Sequence, residues 1–462
     1  MKPSILYPDG SASWPAALED RDFAVDLNLD QVFTAACAGR EQLDLLSVFY
    51  TPLGDLDSVA YRHEVLADLE RPPILSAVRA FGQTMRQARD VLAAMRSLHN
   101  GWQQKRLFLD AVSVYCDAVS SLAKELRQLQ PASRGLRAFT EYLCTYGSSP
   151  SFSALVDEAS ALVSALGNVR YMLHIRGTRV TVSGYRGEPD YAKEVEAVFA
   201  KFREGAVKSY LATFRTTLDM DHVEGQVLDF VARLYPGQFN ILDEYFRTHR
   251  DFLDDVIVSF DRDSQFYLAY LEHIAPLRAS GLPFCYPRLS MSHGATHAKA
   301  AFDLALAGKL TEPGASRPGV VTNDFDLGPD ERILVVTGPN NGGKTTFSRA
   351  FGQLHYLASL GLLVPAREAK LVLADSVFTS FGQEEQLGTA RSHLEDELVH
   401  LHDVIEQASP RSVVVMNESF SSTTLRDAAV LAKAVLRQLL ARGSLCIYVT
   451  FVDELATASE AT

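Results

Sequence analysis

Between about residue 20 and residue 280 the apolar positions recur every three or four residues, the period of amphipathic helices. The spacing predicts helices over 26–38, 41–49, 58–68 and 74–95. Arg71-Pro72-Pro73 separates the last two, because proline lacks a donor and clashes with the preceding turn. The most regular stripe is Phe108, Val112, Tyr115, Val119, Leu122, Leu126 and Leu129, alternating steps of four and three. A heptad stripe of this kind suits either a helix packed in a bundle or a dimerising coiled coil. Helices over 136–146 and 151–166 follow. The period then changes to strict alternation over 169–183, VRYMLHIRGTRVTVS, broken at Gly177-Thr178, which predicts a β-hairpin. Helices return over 190–215, 223–234, 241–246 and 252–273.

The pattern changes again near 282–287. Short strands and loops are expected up to Pro318, and 320–327 leads to the nucleotide strand. Beyond it, strand and helix alternate: a strand at 333–336, a helix from Thr345 to about Leu360, then 371–379, 392–407, 412–416, 426–440 and 445–450. Such alternation predicts an α/β layer. The fold class is therefore multidomain α + α/β, with a leader over 1–25, a mainly helical region over 26–285 carrying the hairpin, and an α/β domain over 286–462.

At the head of that domain the run Ile333–Val336 enters TGPNNGGKTT. Gly338, Gly343, Lys344 and Thr345 satisfy the phosphate-loop spacing of two glycines, lysine and threonine. The chemistry requires these residue types. Successive backbone N–H groups turn inward around phosphate only where no Cβ obstructs them. Lysine reaches the β- and γ-phosphates, the threonine hydroxyl meets Mg²⁺, and the following helix points its positive dipole end at the anion. ATP and Mg²⁺ are the expected ligands. A second apolar run, 413–416, ends at Asn417-Glu418. In phosphate-loop ATPases a strand ends in two acids: the first helps hold Mg²⁺ and the second orients the attacking water. Here Asn417 keeps an acceptor oxygen without the charge, and Glu418 is the candidate general base.

Charge and composition narrow the picture. A net charge of −13 argues against a generally basic surface. It leaves room for a local patch, since nucleic-acid binding depends on where Lys and Arg gather. The hairpin offers one: Arg170, Arg176 and Arg179, with His174 and Arg186, either face a phosphate backbone or form a solvated strand face. The five cysteines are scattered and form no C-x-x-C, which fits a reducing compartment. No signal pattern is present and no apolar run approaches the ~20 residues of a membrane span. A cytoplasmic protein with no membrane partner is expected.

These segments together resemble the MutS family, the DNA mismatch-repair ATPases of the ABC-like class. The likeness runs in order through Val321-Thr322-Asn323-Asp324, TGPNNGGKTT, LASLGLLVPA (357–366), Asp375-Ser376-Val377-Phe378-Thr379, residues 387–398, VVVMNESFSSTT and YVTFVDEL (448–455). It is thinner in the helical part, at 50–69 and 266–287, which are similar to the start and end of the family's core and lever region. The resemblance implies that Gly338, Pro339, Asn340, Asn341, Gly342, Gly343, Lys344, Thr345 and Thr346 form the nucleotide loop. It also implies that Thr345 and Asn417 face the metal, that Glu418 is the catalytic glutamate, and that Ser392 reaches the γ-phosphate of a partner subunit. A homodimer with composite ATP sites, acting as an ATP-driven clamp or switch on mismatched or branched DNA, follows from the same likeness. The alternative is a nucleotide-gated scaffold with little hydrolysis and a protein partner.

Several positions depart from the family. Asn417 stands in place of Asp, Phe451 in place of a switch histidine, Ser421-Ser422-Thr423-Thr424 in place of a Gly- and Arg-containing loop, and Val320 in place of an adenine-stacking aromatic. Slow hydrolysis is expected. The core-like segment begins near Tyr50, so the mismatch-reading domain with its Phe-x-Glu wedge is expected to be lacking. Phe202-Arg203-Glu204 reads as a chance match. The sequence ends soon after the switch strand, so a shortened version without the dimerising tail is expected.

Overall fold

The structure, a computed structural model, describes residues 2–10, 22–187, 220, 222–311, 319–339, 342–382, 393–452 and 455. The chain divides into two compact units. One comprises Met1–Ser76, Leu129–Thr140 and Val258–Thr462, the other Ala77–Gln128 and Glu141–Ile257. This division differs from a single boundary at 285/286, because the first stretch of the chain joins the unit that holds the C-terminal half.

The second unit is built on long helices. In the Gly101–Leu129 helix the stripe from Phe108 to Leu126 is buried within the chain. Phe108 meets Phe246 and Phe252 edge-on, and Tyr115 also meets Phe252. The stripe thus serves intramolecular packing. The hairpin is present as β1 (Tyr171–Arg176) and β2 (Arg179–Gly184), antiparallel, with Arg176 opposite Arg179. Gly177 turns the chain at φ +61, a conformation glycine adopts without Cβ strain. At the base of the hairpin Val169 and Val182 pack on Val231, Ala232 and Phe239. The helix expected over 190–215, with Phe202-Arg203-Glu204, lies outside the described residues.

The first unit contains two four-stranded sheets. One is mixed, in the order β3 (Arg288–Ser290), β7 (Glu368–Val372), β4 (Thr296–Ala301), β5 (Asn323–Leu327). The other is parallel, in the order β6 (Ile333–Val336), β10 (Leu445–Val449), β9 (Val413–Asn417), β8 (Val377–Phe381). The strand expected over 371–379 is two strands in different sheets. The chain leaves β7 at Leu373 and enters β8 at Val377, and an unbroken apolar run could not reveal that change. A helix, Leu304–Thr311, occupies part of the stretch read as strands and loops.

Strands β9 and β10 are buried along their whole length, which is why they read as continuous apolar runs. β6 is only half-buried, since it has a single sheet neighbour among the described residues. Leu401, Val404, Leu436 and Leu439 join Val414, Met416, Cys446 and Tyr448 in one apolar cluster, so the His393–Gln407 and Leu425–Arg442 helices cover this sheet. The Lys344–Ser359 helix also packs on β9: a Cβ on Gly352 would meet Val415 at 3.1 Å and Leu27 at 2.7 Å. Gln353 fixes this helix by donating to Leu27 O and to Asp303 Oδ1, both at 2.8 Å.

Part of the stretch read as a leader is built into this unit. Ile5 and Leu6 are buried. Tyr267 donates to Ile5 O and Tyr61 to Ser4 O, each at 2.6 Å. The buried Arg62 donates to Leu6 O at 3.3 Å and to Leu360 O at 2.8 Å. Among the described residues no helix is long and apolar enough to cross a membrane.

Candidate functional site

The loop lies where the sequence placed it, between β6 and the Lys344–Ser359 helix. Gly338 has φ +148 and Gly343, the helix N-cap, has φ +82; both conformations are open to glycine and costly for other residues. The turn is closed by Gly342 N donating to Pro339 O at 3.2 Å and Phe347 N donating to Gly343 O at 2.9 Å. Asn340 and Asn341 lie outside the described residues, as does Ser392, so nothing places that serine.

Lys344 is buried, with 8% of its surface exposed. Its ammonium donates to Gly338 O at 2.7 Å and to Pro339 O at 3.1 Å. The ring of Phe451 lies over it, with its centroid 4.4 Å from Nζ. Thr345 donates from Oγ1 to Asn417 Oδ1 at 3.0 Å, joining the loop helix to the end of β9. Thr346 is half-buried on the same helix. The spacing of the two sequence motifs therefore brings together Gly338, Lys344, Thr345, Asn417 and Phe451.

Glu418 follows Asn417 in a left-handed conformation, φ +55, with its N–H donated to Val449 O at 2.9 Å. A left-handed glutamate is uncommon and its strain must be held by its surroundings. Phe420, at φ +65, is fully buried and donates its N–H to both carboxylate oxygens of Glu397 at 2.9 and 3.0 Å. Asn417 O accepts from Gly382 N at 3.1 Å. Glu397 thus shapes the turn after Glu418. The sequence offered no signal for it, because one acid on an amphipathic helix looks like any solvated position. Asp26 is a second group missed. Its carboxylate accepts from Thr379 at 2.6 Å and its carbonyl from Arg349 at 2.8 Å. Burial pushes this carboxyl above the usual range despite those partners.

Arg176 and Arg179 face each other at the tip of the hairpin, and the hairpin arginines are exposed. Arg170, Arg176 and Arg179 lie open with His174 and Arg186. Tyr171, Leu173, Ile175 and Val180 are exposed beside them, Ile175 at 70%.

A parallel sheet covered by helices, with a glycine capping the helix after β6 and the amide at the end of β9 bonded to that helix, defines an α/β domain with polar groups gathered at its strand ends. Residues 334–462 match the family model for MutS domain V. The C-terminal part of the chain, residues 334–462, thus carries a domain like that of the MutS family. It is 37% identical over 142 residues to the DNA mismatch repair protein msh3 of Aspergillus fumigatus, covering 30% of this chain and 13% of that protein. It is 32% identical over 162 residues to the DNA mismatch repair protein MutS of Shouchella clausii, covering 34% and 19% respectively. The match thus spans less than a fifth of either relative. MutS family members bind ATP and are ATPases.

Proposed function

We propose that this chain binds ATP at the loop of residues 338–346, hydrolyses it slowly, and uses it to control contact with DNA in mismatch repair. The observation that carries the reading is the Thr345–Asn417 contact at 3.0 Å beside the buried Lys344, within the stretch that matches MutS domain V. The loop amides and Lys344 would bind the phosphates. Magnesium, when bound with the nucleotide, would supply charge neutralisation for the phosphates. Thr345 Oγ1 and Asn417 Oδ1 would hold it, two oxygen donors of the kind a hard cation takes. No cluster of three or more His, Cys, Asp or Glu suited to a metal occurs among the described residues.

Glu418 would orient the attacking water as general base. Ser392 would complete the site of a second copy, making a homodimer. The exposed Arg170, Arg176 and Arg179 would lie along the DNA backbone. In the test, Lys344→Ala abolishes binding of a fluorescent ATP analogue while the parent binds it. Equal affinity of the two proteins sinks the assignment.

A second reading, a nucleotide-gated scaffold with a protein partner, is favoured by the neutral Asn417 and by the exposed apolar side chains on the hairpin. The two readings separate by salt. Phosphate contacts make DNA affinity fall steeply as salt rises, whereas a scaffold binds no DNA at any salt concentration.

A further inference from the structure

Three partners surround the Lys344 ammonium: Gly338 O at 2.7 Å, Pro339 O at 3.1 Å and the Phe451 ring at 4.4 Å. An ammonium carries three donors and no acceptor, so all its directions are engaged by its own chain. Phe451 is not held by burial, as 42% of its surface is exposed. Its backbone is held instead. Thr450 N donates to Val336 O at 3.1 Å, Val452 N to Thr450 Oγ1 at 3.1 Å, and Leu455 N to Val452 O at 3.1 Å. Leu455 itself is buried. The end of β10 therefore sets the backbone of Phe451 beside the loop, and its ring lies over the ammonium.

We propose that Phe451 is a latch on Lys344. It keeps the ammonium folded back on its own loop, so that a triphosphate gains the lysine only by displacing the ring. The inference rests on the triphosphate reading of the loop. A carbonyl releases the lysine by rotation of its flexible stem. The ring, 42% exposed, leaves by rotating about its own side-chain bonds while the end of β10 keeps its backbone beside the loop. A cation over an exposed aromatic face has a modest strength, so the latch should weaken binding of the triphosphate about two- to fivefold.

The test uses the full chain and a fluorescent, non-hydrolysable ATP analogue with Mg²⁺. Phe451→Leu, which keeps the apolar bulk and loses the π face, should bind the analogue about two- to fivefold more tightly. Phe451→Tyr, which keeps the face, should match the parent. A second readout needs no nucleotide: acylation of the Lys344 amine by a small succinimidyl ester, followed by mass spectrometry, should be faster in Phe451→Leu than in the parent or Phe451→Tyr. Weaker binding by Phe451→Leu overturns the latch, since the ring would then be a ligand contact. Equal affinity and equal labelling in all three proteins also overturn it. If the parent binds through Lys344 and only the Phe451 effects are missing, the latch alone fails. If the parent binds no analogue, the nucleotide reading fails with it.

Discussion

Asp263 is where the fold can be tested with a single isosteric change. It lies buried in the first unit, and its carboxylate accepts from Ser4 Oγ at 3.1 Å. Loss of solvation is the largest influence and pushes its carboxyl up to about 6, against the opposing Ser4 hydrogen bond, the charges of Arg262 and Arg62 and the Ile5 amide. The ordinary value is 3.8. A carboxyl raised on folding contributes its stability in full below the unfolded value and loses it as pH climbs through the folded one. The gap between 3.8 and about 6, at about 1.4 kcal/mol per pH unit, comes to about 3 kcal/mol. Asp263→Asn keeps an oxygen for Ser4 and removes the titration. The variant and the parent should therefore differ little in their pH response only well below the unfolded value of 3.8. The variant should gain on the parent by up to about 3 kcal/mol as pH rises to about 6, and keep that lead above it. Urea unfolding across this range, followed through the transition of the first unit, measures the difference. Parallel stability curves, or a variant that falls behind as pH rises, would refute burial as the dominant influence and point instead to a carboxylate stabilised by Arg62 and Arg262.

Other expectations follow from the same coordinates. Gly352→Ala forces a methyl to within 2.7 Å of Leu27 and 3.1 Å of Val415, all buried, so it should cost about 1–3 kcal/mol in urea unfolding; no loss would mean that the helix is not seated on β9 as described. Asn417→Asp restores a charged oxygen 3.0 Å from Thr345 Oγ1 and should lower the Mg²⁺ concentration needed for half-maximal analogue binding about tenfold, one charge-assisted ligand being worth about 1.4 kcal/mol. An unchanged Mg²⁺ requirement would remove Asn417 from the metal side of the site. Replacing Arg176 and Arg179 together by serine should lower the slope of log affinity for duplex DNA against log salt by about two. A slope equal to the parent's would take the hairpin away from the phosphate backbone.

What the sequence made legible was local and periodic. The stripe from Phe108 to Leu126 announced its buried face because it is a continuous helix with one period. The hairpin was visible because glycine interrupts a strict alternation at Gly177. The loop was visible because its chemistry fixes residue types at fixed spacing, and Gly343 caps the helix at the expected place. Features depending on distant partners were not legible. The change of sheet between β7 and β8 leaves the apolar run 371–374 intact, so composition carries no mark of it. Glu397 meets the Phe420 amide and Asp26 the Thr379 hydroxyl, both distant in sequence, and an acid on a helix carries no signal of the amide or hydroxyl it will meet. The departure at Phe451 was visible as a residue type, whereas its place over Lys344 required the end of β10 to be located.

The Tyr267–Ile5 hydrogen bond spans 262 residues of chain. During synthesis Ile5 has no such partner until the ribosome has released Tyr267, which at about 5–20 residues per second takes from roughly a quarter of a minute to the better part of one. Every residue of the second unit has by then been translated, since that unit ends at Ile257. The unit bearing the nucleotide loop is thus the last to close. Its waiting segment, with the apolar Ile5 and Leu6, stays without its buried partners for that time.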